Sequence, residues 1–176
     1  MHVQTPTWLA VILLGGMSAC VSVRATEQHD LSLFVGRWQL DPVRTHMGRF
    51  GPNGRNMVRS PTFSFVFSPA ARGLKIEVYA EYPQAAPTHT MMLVPDGKVY
   101  ACEDQAACLT AGGDPRDQSY VYRQFDSHYI VRTFYIRGKV TEYSTYGVAA
   151  DGETFTMMAW SPETHYWQNI QVFTRQ

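Results

Sequence analysis

The stretch Gly73-Leu-Lys-Ile-Glu-Val-Tyr-Ala-Glu-Tyr82 puts Lys75, Glu77 and Glu81 on one side of an extended chain and Ile76, Val78, Ala80 and Tyr82 on the other. A period of two is the geometry of a strand with one buried face, because successive side chains leave opposite sides of the pleat. A helix would need its apolar residues three and four apart. Upstream, Thr62-Phe-Ser-Phe-Val-Phe-Ser68 alternates phenylalanine with small or polar residues, and Val35-Gly-Arg-Trp-Gln-Leu40 halts at Asp41-Pro42. Downstream, Thr88–Val94 meets Pro95-Asp96-Gly97, turn chemistry that predicts a hairpin with Lys98–Ala101.

The C-terminal half repeats the pattern with longer strands. Ser119–Phe125, His128–Arg137, Lys139–Ala149, Glu153–Ser161 and Tyr166–Arg175 are separated by turn signals at Asp126-Ser127, Gly138, Asp151-Gly152 and Ser161-Pro162-Glu163. Short connections join antiparallel neighbours. About ten strands at regular spacing predict an all-β fold, an antiparallel up-and-down β-barrel of about 8–10 strands. Thr45–Ser60 and Leu109–Gln118, rich in Gly and Pro, read as loops at its rim.

Composition narrows the function classes. Fifteen Lys and Arg balance fifteen Asp and Glu across 176 residues, with no basic run, so no nucleic-acid partner is expected. Hydrophobic residues at 45% and charged residues at 17% describe a chain that buries a core and is not disordered. The segment from Trp8 to Ala19 is uncharged and apolar, too short for a spanning helix and suited to the core of a secretory signal. Two processing sites compete. Val23-Arg24-Ala25 fits cleavage before Thr26, whereas Met17-Ser18-Ala19-Cys20 is similar to a lipobox, with lipidation at Cys20. The expected organisation is a signal peptide at 1–25, or 1–19 for a lipoprotein, and one barrel domain at 26–176. The expected location is periplasmic or secreted, with membrane contact only through a lipid at Cys20.

Either route removes Cys20 as a thiol and leaves Cys102 and Cys108. An even pair in an oxidising compartment predicts a disulfide closing a short loop. A redox pair would stand two residues apart beside a βαβ unit, and a zinc site would need further ligands at motif spacing. The histidines are scattered at His2, His29, His46, His89, His128 and His165, with no metal-binding spacing, so no metal or cofactor is expected.

Phe34-Val-Gly-Arg-Trp-Gln-Leu-Asp-Pro42 resembles the Gly-x-Trp first-strand motif of lipocalin-like (calycin) barrels. It is similar also to a group of exported bacterial proteins of unknown function that open with G-x-W-x-L-N-P. Those proteins close with a Gly-Lys-Val, Asp-Gly-x-Thr-x-Thr and terminal Arg-Gln pattern. Here that pattern stands at Gly138-Lys139-Val140, Asp151-Gly152-Glu153-Thr154-Phe155-Thr156 and Arg175-Gln176. The resemblance implies a small antiparallel barrel and apolar-ligand binding, and it supplies no catalytic residues. It also implies that Trp38 plugs the closed end of the barrel, packed under Arg175.

Arg132 and Glu142 flank the Gly138 turn at nearly matching positions, which predicts a cross-strand ion pair. If Ile130, Phe134 and Ile136 point inward, so does Arg132, and the pair can fix a ligand carboxylate or hydroxyl. The rarity of buried charges favours instead a solvated face, where such a pair contributes little. Tyr146, Met157 and Trp160 complete the candidate ligand-binding set, as an apolar lining with polar handles. The favoured function is an exported lipocalin-like protein binding a small hydrophobic or amphipathic ligand. The competing classes are a small barrel enzyme of cyclase, isomerase or hydratase type and a structural envelope protein with a filled barrel.

Overall fold

The computed structural model describes residues 30–46, 49–50, 55–56, 60–84, 86–102, 114–163 and 169–176. The signal segment, Cys20, Cys108, His165 and Trp167 lie outside the described residues. A 3₁₀ turn at Ser32–Phe34 leads into β1 (Gly36–Leu40), then β2 (Arg49–Phe50), β3 (Arg55–Asn56), β4 (Ser64–Ala70), β5 (Gly73–Tyr79), β6 (His89–Leu93) and β7 (Tyr100–Ala101). After a second 3₁₀ turn at Pro115–Asp117 come β8 (Gln118–Asp126), β9 (Tyr129–Ile136), β10 (Lys139–Val148), β11 (Thr154–Trp160) and β12 (Asn169–Arg175).

Ten of these strands form one antiparallel sheet in the order β6-β5-β4-β1-β12-β11-β10-β9-β8-β7, curled into a half-barrel. From β4 to β6 and from β7 to β12 strands adjacent in sequence are adjacent in space, and β12 returns to β1 to join the chain's two halves. Two expectations need correction. Thr45–Ser60, read as a loop, contains the small β2–β3 hairpin. The segments β6 and β7 do not pair with each other across Pro95-Asp96-Gly97 but stand at opposite edges of the sheet.

The reason lies in where that connection finds its hydrogen bonds. Asp96 bridges to Arg123 of β8, and the Gly97 N–H donates to the Tyr122 carbonyl. Pro95 is buried and has no N–H to contribute to a hairpin ladder. The connection therefore crosses the gap between the two edges instead of turning back. A polar latch reinforces it: the Tyr100 hydroxyl donates to Asp96 Oδ2 at 2.8 Å, and Arg72 Nη2 donates to that hydroxyl at 2.8 Å.

Glycine is required at two places. Gly36 has φ of +133°, and a Cβ there would stand 3.0 Å from Arg175 Nη1; Gly73 has φ of +131°, with Leu93 O only 2.1 Å from such a Cβ. A larger residue at Gly73 would push β5 from β6, and one at Gly36 would displace Arg175.

Candidate functional site

The pairing register sorts the concave face of β8–β12 into transverse rows. Leu40, Phe173, Phe155 and Val148 face one another across four strands. The next row holds Gln171, Met157, Tyr146 and Ile130. The next holds Asn169, Ala159, Ser144, Arg132 and Tyr122, and beyond it Glu142 faces Phe134 and Tyr120. Along the strands the interior thus passes from hydrocarbon to a charged, hydroxyl-rich surface.

The hydrocarbon end is a continuous aromatic cluster. Phe155 is fully buried, and its ring lies within 6.5 Å of the rings of Phe34, Trp38, Phe65, Phe67, Tyr146 and Phe173. Trp38 is fully buried and donates its indole N–H to the Phe34 carbonyl at 2.7 Å. Arg175 lies over the indole at 4.2 Å, from the register position directly opposite on β12. Its three guanidinium nitrogens donate to the carbonyls of Gly152, Val35 and Leu33 at 2.6, 2.7 and 2.7 Å. A cation whose three nitrogens each donate to a backbone carbonyl holds chain segments together.

At the polar end Arg132 and Glu142 form an ion pair with side-chain exposures of only 14% and 21%, so the pair is not on a solvated face. The two are not opposite each other. A bulge between Val140 and Glu142 shifts the register so that Arg132 faces Ser144 and Glu142 faces Phe134. The guanidinium reaches diagonally: Nη2 donates to Glu142 Oε1 and, at 3.1 Å, to Ser144 Oγ, which in turn donates to Glu142 Oε1. Nη1 points across the interior to Met91 Sδ on β6 at 3.9 Å, a weak acceptor, and the Phe134 ring lies 5.6 Å away.

Two buried polar atoms here make no hydrogen bond of ordinary geometry: Arg132 Nε and the Tyr122 hydroxyl, which stands beside the Tyr146 phenol. Burial, and then the neighbouring Tyr146, push the Tyr122 phenol well above its usual range, so it stays a neutral O–H donor. Burial opposes the charge on Arg132, but its electrostatic neighbours, the paired Glu142 carboxylate among them, outweigh it and the guanidinium stays charged.

Of the residues chosen from sequence, Arg132, Glu142, Tyr146 and Met157 share the concave face, with Tyr146 directly opposite Met157. Trp160 does not join them. It is one residue out of phase with Met157 and Ala159, so it lies on the convex face with its ring 5.6 Å from that of Tyr143. A shallow depression there, about 290 Å³ in volume, is lined by Met158, Trp160 and Ile170, with Ala159 and Asn169 beneath.

Sequence reasoning missed Ser144, although parity carried the signal, because Ser144 is two residues from Glu142 on one strand. Tyr122 and Met91 were legible only as members of a wider tyrosine and methionine lining; that Tyr122 sits opposite Arg132 and that Met91 reaches it from the other edge of the sheet is tertiary. Cys102, just beyond β7, is disulfide-bonded. Among the described residues no three His, Cys, Asp or Glu side chains gather as metal ligands, and no helix is long and apolar enough to cross a membrane.

No family model matches this sequence, and no curated protein matches it. Among solved structures, 42 chains match. One is a point mutant of the REP1-NXSQ fatty acid transporter, 12% identical, with a TM-score of 0.49, covering 82% of this chain and 99% of that one. A likeness at that level assigns nothing to this chain, whose site rests on the geometry above.

Proposed function

We propose that the protein binds a small amphipathic molecule on the concave face of its half-barrel, with the molecule's apolar body against the aromatic and methionine rows and its polar end at Arg132, Glu142, Ser144 and Tyr122. The observation that supports this reading is the pair of unpartnered donors, Arg132 Nε and Tyr122 O–H, beside a charged pair at one end of a face whose other end is hydrocarbon. An unsatisfied buried polar group costs about 1–3 kcal/mol, so a fold that keeps such groups together gains from any ligand that satisfies them. Tyr120, Tyr146, Met91 and Met157 all pack against this region as partly or fully buried side chains. They combine large contact area with adaptable shape, which suits recognition of a flexible apolar body.

The test is native mass spectrometry of protein purified from its own host, together with titration by the neutral fluorescent probe Nile red. A co-purifying small molecule, or saturable one-to-one probe binding lost in Arg132→Met, is the expected result. Absence of both overturns the reading in favour of a filled structural barrel. Chemical conversion of a bound compound would instead place the protein among small barrel enzymes. The same reading carries export of the chain and pairing of Cys102 with Cys108, checked by the mass difference of two protons between oxidised and reduced protein.

A further inference from the structure

We infer that the polar end of this site recognises a neutral oxygen acceptor, such as a ketone, ester or alcohol oxygen, in preference to a carboxylate; the inference rests on the binding reading just given. The argument starts from what Arg132 has already committed. A guanidinium carries five N–H donors and one positive charge. Both donors of Nη2 are engaged, one by Glu142 Oε1 and one by Ser144 Oγ, and Glu142 neutralises the charge within the same contact. What remains is donor capacity without net charge: the Nε–H, which has no partner, and Nη1, whose contact is the thioether of Met91 at 3.9 Å.

Tyr122 strengthens the case. Its residue is fully buried and its register partner is Arg132, so its unpartnered O–H and the free guanidinium edge serve the same interior. A single oxygen with two lone pairs can accept from both. The charged side chains in the site's own hydrogen-bond network are Arg132 and Glu142, whose charges sum to zero; Arg72, Asp96 and Lys98 gather around the Tyr100 hydroxyl, whose ring stacks on Tyr120, and Arg175 stands at the other end with its nitrogens on three carbonyls.

A carboxylate entering here would lose its hydration and meet Glu142 as a like charge, with no uncompensated cation to offset either effect. A ketone or ester carbonyl needs only hydrogen bonds, which the site holds ready. Discrimination of this kind comes as much from the repelling group as from the attracting one, and Glu142 is that group.

The experiment is displacement of Nile red at pH 7.5 by ten-carbon compounds differing only at the head: 2-decanone, 1-decanol, methyl decanoate and decanoate. The neutral compounds are expected to displace the probe at concentrations at least about tenfold below decanoate, a factor worth about 1.4 kcal/mol. Glu142→Gln keeps the shape and removes the charge, leaving Arg132 uncompensated; in that variant decanoate is expected to gain at least about tenfold relative to 2-decanone. Decanoate binding as well as or better than the neutral compounds to the unmodified protein overturns the inference while leaving the binding reading in place. No displacement by any of the four, with no saturable Nile red signal, overturns the binding reading itself. The order measured in the unmodified protein decides the matter even if Glu142→Gln does not fold.

Discussion

The two ends of the concave face are built from neighbouring strands of one sheet yet do opposite work. At one end Trp38, Phe155 and Phe173 are fully buried, the Trp38 indole N–H donates to the Phe34 carbonyl and Arg175 is tied to three backbone carbonyls. At the other, on β8, β9 and β10, Arg132, Ser144 and Glu142 satisfy one another in part and leave Arg132 Nε and the Tyr122 hydroxyl open. Both ends contain an arginine near an aromatic ring, 4.2 Å from Trp38 in one case and 5.6 Å from Phe134 in the other. The difference is the acceptors around each. Carbonyls of fixed backbone complete Arg175 and make it a clamp, whereas side-chain acceptors on one flank leave Arg132 with an unused edge. A completed polar group stabilises a fold, and an incomplete one is where a ligand gains.

The largest test of that contrast is at the aromatic end. Phe155→Ala removes the ring at the centre of the cluster and should cost about 3–5 kcal/mol, as should Trp38→Ala, in urea unfolding followed by circular dichroism. A loss under about 1 kcal/mol at either position would mean that the end described as closed carries little of the fold's stability.

Arg175→Met comes next. It keeps a long apolar side chain beside the indole but deletes three charge-assisted hydrogen bonds and the cation over the ring, for an expected loss of about 3 kcal/mol. Arg175→Lys should recover only a minor part, because an ammonium lacks the planar fork that reaches separate carbonyls. Full recovery by lysine would show that charge alone, and not the fork, holds this end.

At the polar end the effects should be smaller and non-additive. Glu142→Ala strands the Arg132 charge in a mostly buried place and should destabilise by about 1–3 kcal/mol, less than for a fully buried pair. Replacing the pair together, Arg132→Met with Glu142→Leu, should restore most of that loss while abolishing probe binding. A double variant that is less stable than either single one would make the pair a structural clamp like Arg175, and the comparison between the two ends would collapse.

The smallest effect at neutral pH is expected from Tyr122→Phe, which removes an unpartnered hydroxyl and should change stability by less than about 1 kcal/mol. Its signature is alkaline. Burial raises the Tyr122 phenol in the folded state, so the unfolded chain releases this proton first as pH rises. The stability tied to the group is therefore intact below the unfolded value near 10 and declines as pH climbs from there toward the folded value. Tyr122→Phe should move the alkaline unfolding midpoint upward. An unchanged midpoint would place the Tyr122 hydroxyl in contact with water.

The sequence by itself determined the strands. Alternation along Gly73–Tyr82 and the turns after Asp126, at Gly138 and at Asp151-Gly152 are local properties, since the pleat turns each side chain over and a tight turn fixes its neighbour as antiparallel. Parity with Ile130 and Phe134 left an inward Arg132 open, but the rarity of buried charges favoured a solvated face, and only the structure placed the pair inside. Tertiary structure alone decided what local pattern does not encode. The bulge before Glu142 made the ion pair diagonal and seated Ser144 opposite Arg132, and Trp160 fell to the convex face because a shift of one residue changes sides. Whether Asp96 would turn back or cross to β8, and whether Met91 would meet Arg132 from the far edge, depended on how strongly the sheet curls. Curl is the summed twist of ten strands closing over their own core, so no window of sequence contains it.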